Sequence, residues 1–185
     1  MKKNYLVIVL LFSIFTVKAQ NNNNNNIENL YEKKNEVKLN VTSILFGAPE
    51  VSYERNLNKK SSLGISFLTV FDNENPNEDL NYFITPYYRR YFGKKYASGF
   101  FGEGFGTLSS IDGIKIFDLN GNLTSEKTAV TDFSLGLGLG GKWVTKSGFT
   151  FETSLSYGFL LFNGDKTDGQ HSIVARFGFH LGYRF

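Results

Sequence analysis

From residue 37 to residue 185 large apolar side chains recur at every second position, and no stretch sustains the i, i+3, i+4, i+7 spacing of an amphipathic helix. The last segment is the plainest. Ile173, Ala175, Phe177, Phe179, Leu181, Tyr183 and Phe185 share one face, while Val174, Arg176, Gly178, His180, Gly182 and Arg184 share the other. A period of two is the signature of a strand with two unlike faces. Residues 149–161 and 133–143 repeat it, the second with Leu135, Leu137 and Leu139 against Gly136, Gly138 and Gly140. Five earlier candidates, at 37–46, 50–57, 62–71, 81–92 and 99–108, bring the total to about eight strands. These strands exceed the ~5–6 residues usual in water-soluble sheets and match the ~9–11 that cross a bilayer at a tilt. In 81–92 both faces carry aromatics and Pro86 removes a ladder donor, so its facing is not set by the pattern.

The connections alternate in length. Residues 58–61, 93–98 and 145–148 are short, whereas 72–80, 109–130 and 163–172 are longer. Only 47–49 is short where a long connection is expected. Short turns at one end and longer loops at the other describe an all-β, antiparallel, up-and-down transmembrane β-barrel over residues 36–185, with its termini on the periplasmic side. Within 109–130, Asn120-Gly121 between apolar runs predicts a small hairpin. The alternative is a lipocalin-like or sandwich fold with the apolar face turned inward, and periodicity alone does not choose between them.

The N-terminus tips the balance. Lys2 and Lys3 precede an apolar run at 5–17, and Ala19 ends a peptidase-like site, so residues 1–19 read as a signal peptide. The run is too short to span as a helix, which takes ~20 residues. Residues 20–35, with six consecutive asparagines at 21–26, read as a disordered linker. Export, strand length and aromatics at strand ends (Tyr157, Phe162, Tyr183, Phe185) together favour the membrane barrel.

Charge changes meaning once the leader is set aside. The whole chain has 20 Lys+Arg against 17 Asp+Glu, and removing Lys2, Lys3 and Lys18 leaves 20 − 3 = 17 against 17. That balance excludes a nucleic-acid binder. The short turns hold Lys59, Lys60, Lys94, Lys95 and Lys146 and no acids, while 72–80 holds Asp72, Glu74, Glu78 and Asp79 and no bases. An acidic outer rim beside an anionic membrane surface would need bridging divalent cations. The absence of Cys excludes disulfides, thiolate zinc sites and a cysteine nucleophile, and no cofactor is expected.

The final residues, FGFHLGYRF, resemble the terminal strand of bacterial outer-membrane β-barrel proteins, with Phe177, Phe179, Leu181, Tyr183 and Phe185 at every alternate position and an aromatic last residue. With its leader and its Gly-aromatic strands, the chain is similar to the small outer-membrane protein A and X barrels, of the type found in Bacteroidota. The resemblance implies a cell outer membrane location, insertion by the barrel-assembly machinery, contact with outer-membrane lipid and lipopolysaccharide, and a monomer.

Two motifs invite chemistry. GLGLGGK at 136–142 nearly matches a phosphate-binding loop, but Trp143 replaces the Ser/Thr and no helix follows, so it reads as a glycine stripe within a strand. Its expected covers are Phe101 and Phe105, which point inward with Glu103 and lie over Gly136, Gly138 and Gly140. His171 beside Ser172, near Asp165 and Asp168, is the one arrangement for a lipid-modifying hydrolase, but adjacent side chains diverge on an extended chain. No catalytic, cofactor-binding or metal residues are expected. The remaining feature is a barrel-interior charge cluster of Glu103, Glu152, Arg176, His180 and Arg184, joined by Glu54 and Arg89 if their strands face accordingly. Either these charges pair and fill the lumen or they line a narrow pore; the first implies a non-enzymatic structural or surface-interaction protein.

Overall fold

The computed structural model of the chain describes residues 33–70, 80–111, 115–117, 123–126, 130–161 and 173–185. The residues read as a signal peptide, nearly all of those read as a linker, His171 with its Ser and Asp neighbours, Phe162 and the acids of 72–79 lie outside the described residues. The strands are β1 (Asn35–Asn40), β2 (Glu50–Asn58), β3 (Ser61–Thr69), β4 (Leu80–Tyr91), β5 (Gly99–Ile111), β6 (Lys115–Phe117), β7 (Leu123–Glu126), β8 (Val130–Val144), β9 (Phe149–Leu160) and β10 (Ile173–Arg184), with one helical turn α1 (Val41–Leu45).

Eight strands close into a barrel in the order β1-β10-β9-β8-β5-β4-β3-β2, every pairing antiparallel. Strands β6 and β7 pair only with each other, as the hairpin expected between β5 and β8. The barrel closes where β1 meets β10, from Glu36 opposite Arg184 to Asn40 opposite His180. Asn35 and Phe185 exchange backbone hydrogen bonds of 3.0 and 2.8 Å at that seam.

The polarity of the wall is inverted relative to a water-soluble protein. Leu137 is 76% exposed and Phe177 61%, while Glu54, Glu152 and Lys142 are 0% exposed. Along β2 buried and exposed positions alternate strictly, with Glu50, Ser52, Glu54 and Asn56 inside and Val51, Tyr53 and Leu57 outside. A lipocalin-like arrangement has the apolar set within, so this placement overturns that alternative.

The first strand departs from expectation. The spacing predicted a strand over 37–46, but β1 stops at Asn40, whose side chain accepts a hydrogen bond from the Ser43 N–H at 3.2 Å and caps α1. Local side-chain capping competes with the ladder, and here it prevails. The β10 edge left without its partner is met by Thr42, whose hydroxyl accepts from the Phe179 N–H at 3.1 Å. The connection to β2 is therefore 41–49, and the one apparent exception to the alternation of turns and loops disappears.

In β4 the residues Thr85, Tyr87, Arg89 and Tyr91 are buried and Pro86, Tyr88 and Arg90 exposed, which fixes the facing that the sequence left open. Pro86 stays aligned with Ile65 on β3. On the β5 side, pairing passes from Ile84–Leu108 to Tyr87–Phe105 without ladder partners between. A 2.9 Å hydrogen bond between the hydroxyls of Thr85 and Thr107 spans that interval inside the barrel.

Candidate functional site: the ion-paired lumen

An eight-stranded barrel has an interior just wide enough to be filled by side chains. Inward positions here are supplied by the polar half of the alternation, so the filling is charged. Five carboxylates (Glu36, Glu50, Glu54, Glu103, Glu152) meet five cations (Lys38, Arg89, Lys142, Arg176, Arg184) in a run of ion pairs from one end to the other. The formal charges of this set cancel.

Glu54 is the hub. Its Oε1 accepts from Lys142 Nζ at 2.5 Å and Tyr91 Oη at 2.7 Å; its Oε2 accepts from Lys38 Nζ at 2.6 Å, Arg89 Nη1 at 2.8 Å and Tyr87 Oη at 3.2 Å. Arg89 crosses the lumen as a bar. It donates from Nε to Glu103 at 2.6 Å and from Nη1 to Glu152 at 2.8 Å, while its guanidinium lies 4.3 and 4.4 Å from the Tyr87 and Phe101 ring centres. Planar stacking and forked donation are what distinguish Arg from Lys at such a site. Lys38 links the hub to Glu152 at 2.9 Å.

Toward the loop end, Arg176 donates to Glu50 at 2.8 Å and to Ser66 at 3.3 Å, and Asn40 donates to Glu50 at 2.8 Å. His180 Nδ1 lies 3.8 Å from Glu152 Oε1, too far for a hydrogen bond. Between Glu50, Arg89, Glu103, Arg176 and His180 there is a cavity of about 20 Å³, room for roughly one water molecule.

The turn end is closed by the chain itself. Arg184 donates to Glu36 at 2.7 Å through Nε and to the Tyr96 and Ala97 carbonyls at 3.1 and 2.8 Å. It thereby holds the 93–98 turn across the mouth, where Ala97 is fully buried with φ at +40°. A left-handed alanine is unfavourable, and it is retained here by its N–H bond to the Lys59 carbonyl at 2.9 Å and by the Arg184 contact.

The glycine stripe lies beneath this network. Register sets Phe101 opposite Gly140 and Phe105 opposite Gly136, and a Cβ at either glycine would meet the ring and the backbone of β9. Gly138 departs from the expectation: it faces Glu103 and packs against Ser156, because the carboxylate falls between the two rings in register. Tyr87 covers Gly64 in the same manner across β3 and β4, a pair that the sequence did not reveal. Gly136→Val is expected to destabilise by about 1–3 kcal/mol through overpacking, read from the urea midpoint in vesicles; an unchanged midpoint would contradict the packing.

Of the residues expected inside, Glu103, Glu152, His180, Arg184, Glu54 and Arg89 are all buried, and Arg176 is half-buried. Glu36, Lys38, Glu50 and Lys142 were missed. Lys142 shares parity with the glycine stripe and Glu50 with Glu54, and that parity identifies both, whereas no residue of β1 is assigned inward from which Glu36 and Lys38 could follow. Phe177, Phe179, Leu181 and Phe185 face outward and are exposed, while Tyr183 packs edge-on against Phe149 at 5.5 Å. Among the described residues no group of three His, Asp or Glu side chains is placed to hold a metal ion.

No curated protein matches the chain in sequence. Among solved structures it is similar to the outer membrane protein Ail of Yersinia pestis, determined as a backbone structure in a phospholipid bilayer nanodisc. The two are 15% identical, the match covers 83% of this chain and 100% of that one, and the TM-score is 0.40. A family model described as "Protein of unknown function (DUF3575)" matches residues 5–176, and the chain belongs to that family.

Proposed function

We propose that the protein is a non-enzymatic outer-membrane barrel, monomeric, whose role is structural or is exercised through the loops at its outward end. The observation that carries this is the inverted wall, apolar outside and ion-paired within. An apolar exterior around a closed ladder is stable in hydrocarbon because the eight strands pair around the whole circumference and the charges at mid-wall, Glu54, Arg89, Glu103 and Glu152, face inward to one another. The export signal and the outward alternate positions Phe177, Phe179, Leu181 and Phe185 support insertion by a barrel-assembly machinery into a membrane containing lipopolysaccharide, as in the small barrels of Bacteroidota.

A rigid scaffold with a filled core has no route for solutes. The Arg89 bar, the Glu54 hub and the 93–98 turn each obstruct the lumen, and the charges that would line a conducting file are neutralised against one another. The purified protein in a planar bilayer is therefore expected to show no steady conductance; discrete channel steps would favour the narrow-pore alternative. A lipid-modifying hydrolase would require His171, and phospholipid hydrolysis abolished by His171→Ala would establish it.

A further inference from the structure

Charge at the turn end is not used by the lumen. Lys59 and Lys60 sit in the β2–β3 turn, Lys94 and Lys95 in the β4–β5 turn and Lys146 in the β8–β9 turn, all exposed. Lys34, also exposed, precedes β1 beside the end of β10. Given the strand order, these positions are distributed around the whole circumference. Backbone bonds tie the β2–β3 turn to the β4–β5 turn: Ala97 N–H donates to the Lys59 carbonyl at 2.9 Å and Tyr91 N–H to the Lys60 carbonyl at 2.7 Å. Slightly farther along the wall, outward-facing Arg55 and Arg90 are exposed too.

Among the described residues this end exposes no Asp or Glu. Its nearest acid, Glu36, is buried and committed to Arg184 and Lys142. A one-sign rim is self-repelling until counter-charge covers it. Immediately beside it, the outer wall exposes Phe92, Phe100, Trp143 and Phe149. Aromatic rings with long cationic side chains at an apolar boundary match the head-group layer, where rings lie among the glycerols and the cations extend to phosphate.

We propose that this rim binds the phosphodiester groups of anionic phospholipids in the leaflet at the turn end. The proposal rests on the membrane reading above. Charge complementarity selects the phosphates, and a ring around the circumference fits a surrounding lipid layer better than a single acidic peptide.

Trp143 is the sole Trp of the chain, faces outward at 59% exposure and lies two residues before the Lys146-bearing turn, so it reports on lipid at the rim. The full-chain protein would be reconstituted in phosphatidylcholine–phosphatidylglycerol vesicles, with brominated acyl chains on one lipid or the other. Quenching of Trp143 then gives the relative affinity of the two head groups. Phosphatidylglycerol should be preferred by roughly 3–10-fold at low salt, and the preference should fade toward 1 M salt, where the screening length is about 3 Å. Replacing the five turn lysines by glutamine should abolish it. Equal quenching by both lipids in the unmodified protein would overturn the proposal and leave the rim to an acidic macromolecule, and so would a preference that survives high salt. Absence of quenching by either lipid would instead overturn the membrane reading itself.

Discussion

Replacing Glu54 by alanine is expected to lower the stability of the inserted barrel by about 3–5 kcal/mol, the range for removing one partner of a buried ion pair. Glu54 is the acceptor for Lys38, Lys142 and Arg89 and for two tyrosine hydroxyls, and it is fully buried. Its removal strips three cations of their shared counter-charge. Lys38 and Arg89 retain Glu152, and Lys142 retains Glu36, so the network is weakened and not dissolved. Glu54→Gln keeps the volume and one acceptor oxygen but not the charge, and should fall between wild type and alanine. Urea-induced unfolding in vesicles, followed by Trp143 fluorescence, gives the free energies. A Glu54→Ala loss below about 1 kcal/mol would mean that lumen charges are solvated and not bound to one another.

Much of this site could be read from alternation because a transmembrane barrel leaves few other places for an ionisable side chain at mid-wall. Glu103, Glu152 and Arg184 were placed inward on that ground alone, and the Phe101 and Phe105 covers followed from their parity with Glu103. Three kinds of information were not legible. Which charges pair depends on the stagger of the closed barrel, which aligns Glu36 with Arg184 across 148 residues of sequence. The end of β1 depends on a capping contact of Asn40, whose local chemistry competes with an alternation that runs on through Val41 to Leu45. The 93–98 turn gave no warning that it folds over the mouth, since its closure depends on an Arg from the far end of the chain.

The outer face makes the second large prediction. Leu137 lies midway along β8 and is 76% exposed, the most exposed large apolar side chain of the described strands. Were this face in water, Leu137→Arg would change stability by less than about 0.5 kcal/mol and would raise solubility. In hydrocarbon an arginine at mid-depth costs about 2–4 kcal/mol, falling to about 0–1 near the interfaces. The same substitution at Leu57, outward beside the β2–β3 turn and 50% exposed, should therefore be close to neutral. The contrast between the two positions separates a membrane from a general intolerance of charge, because both begin as exposed leucines on the same face of the wall. Refolding into vesicles, scored by the urea midpoint for each variant, measures it. Equal midpoints for Leu137→Arg, Leu57→Arg and the unmodified protein would show that the outer wall is bathed in water, and would sink the membrane barrel along with every function assigned to it.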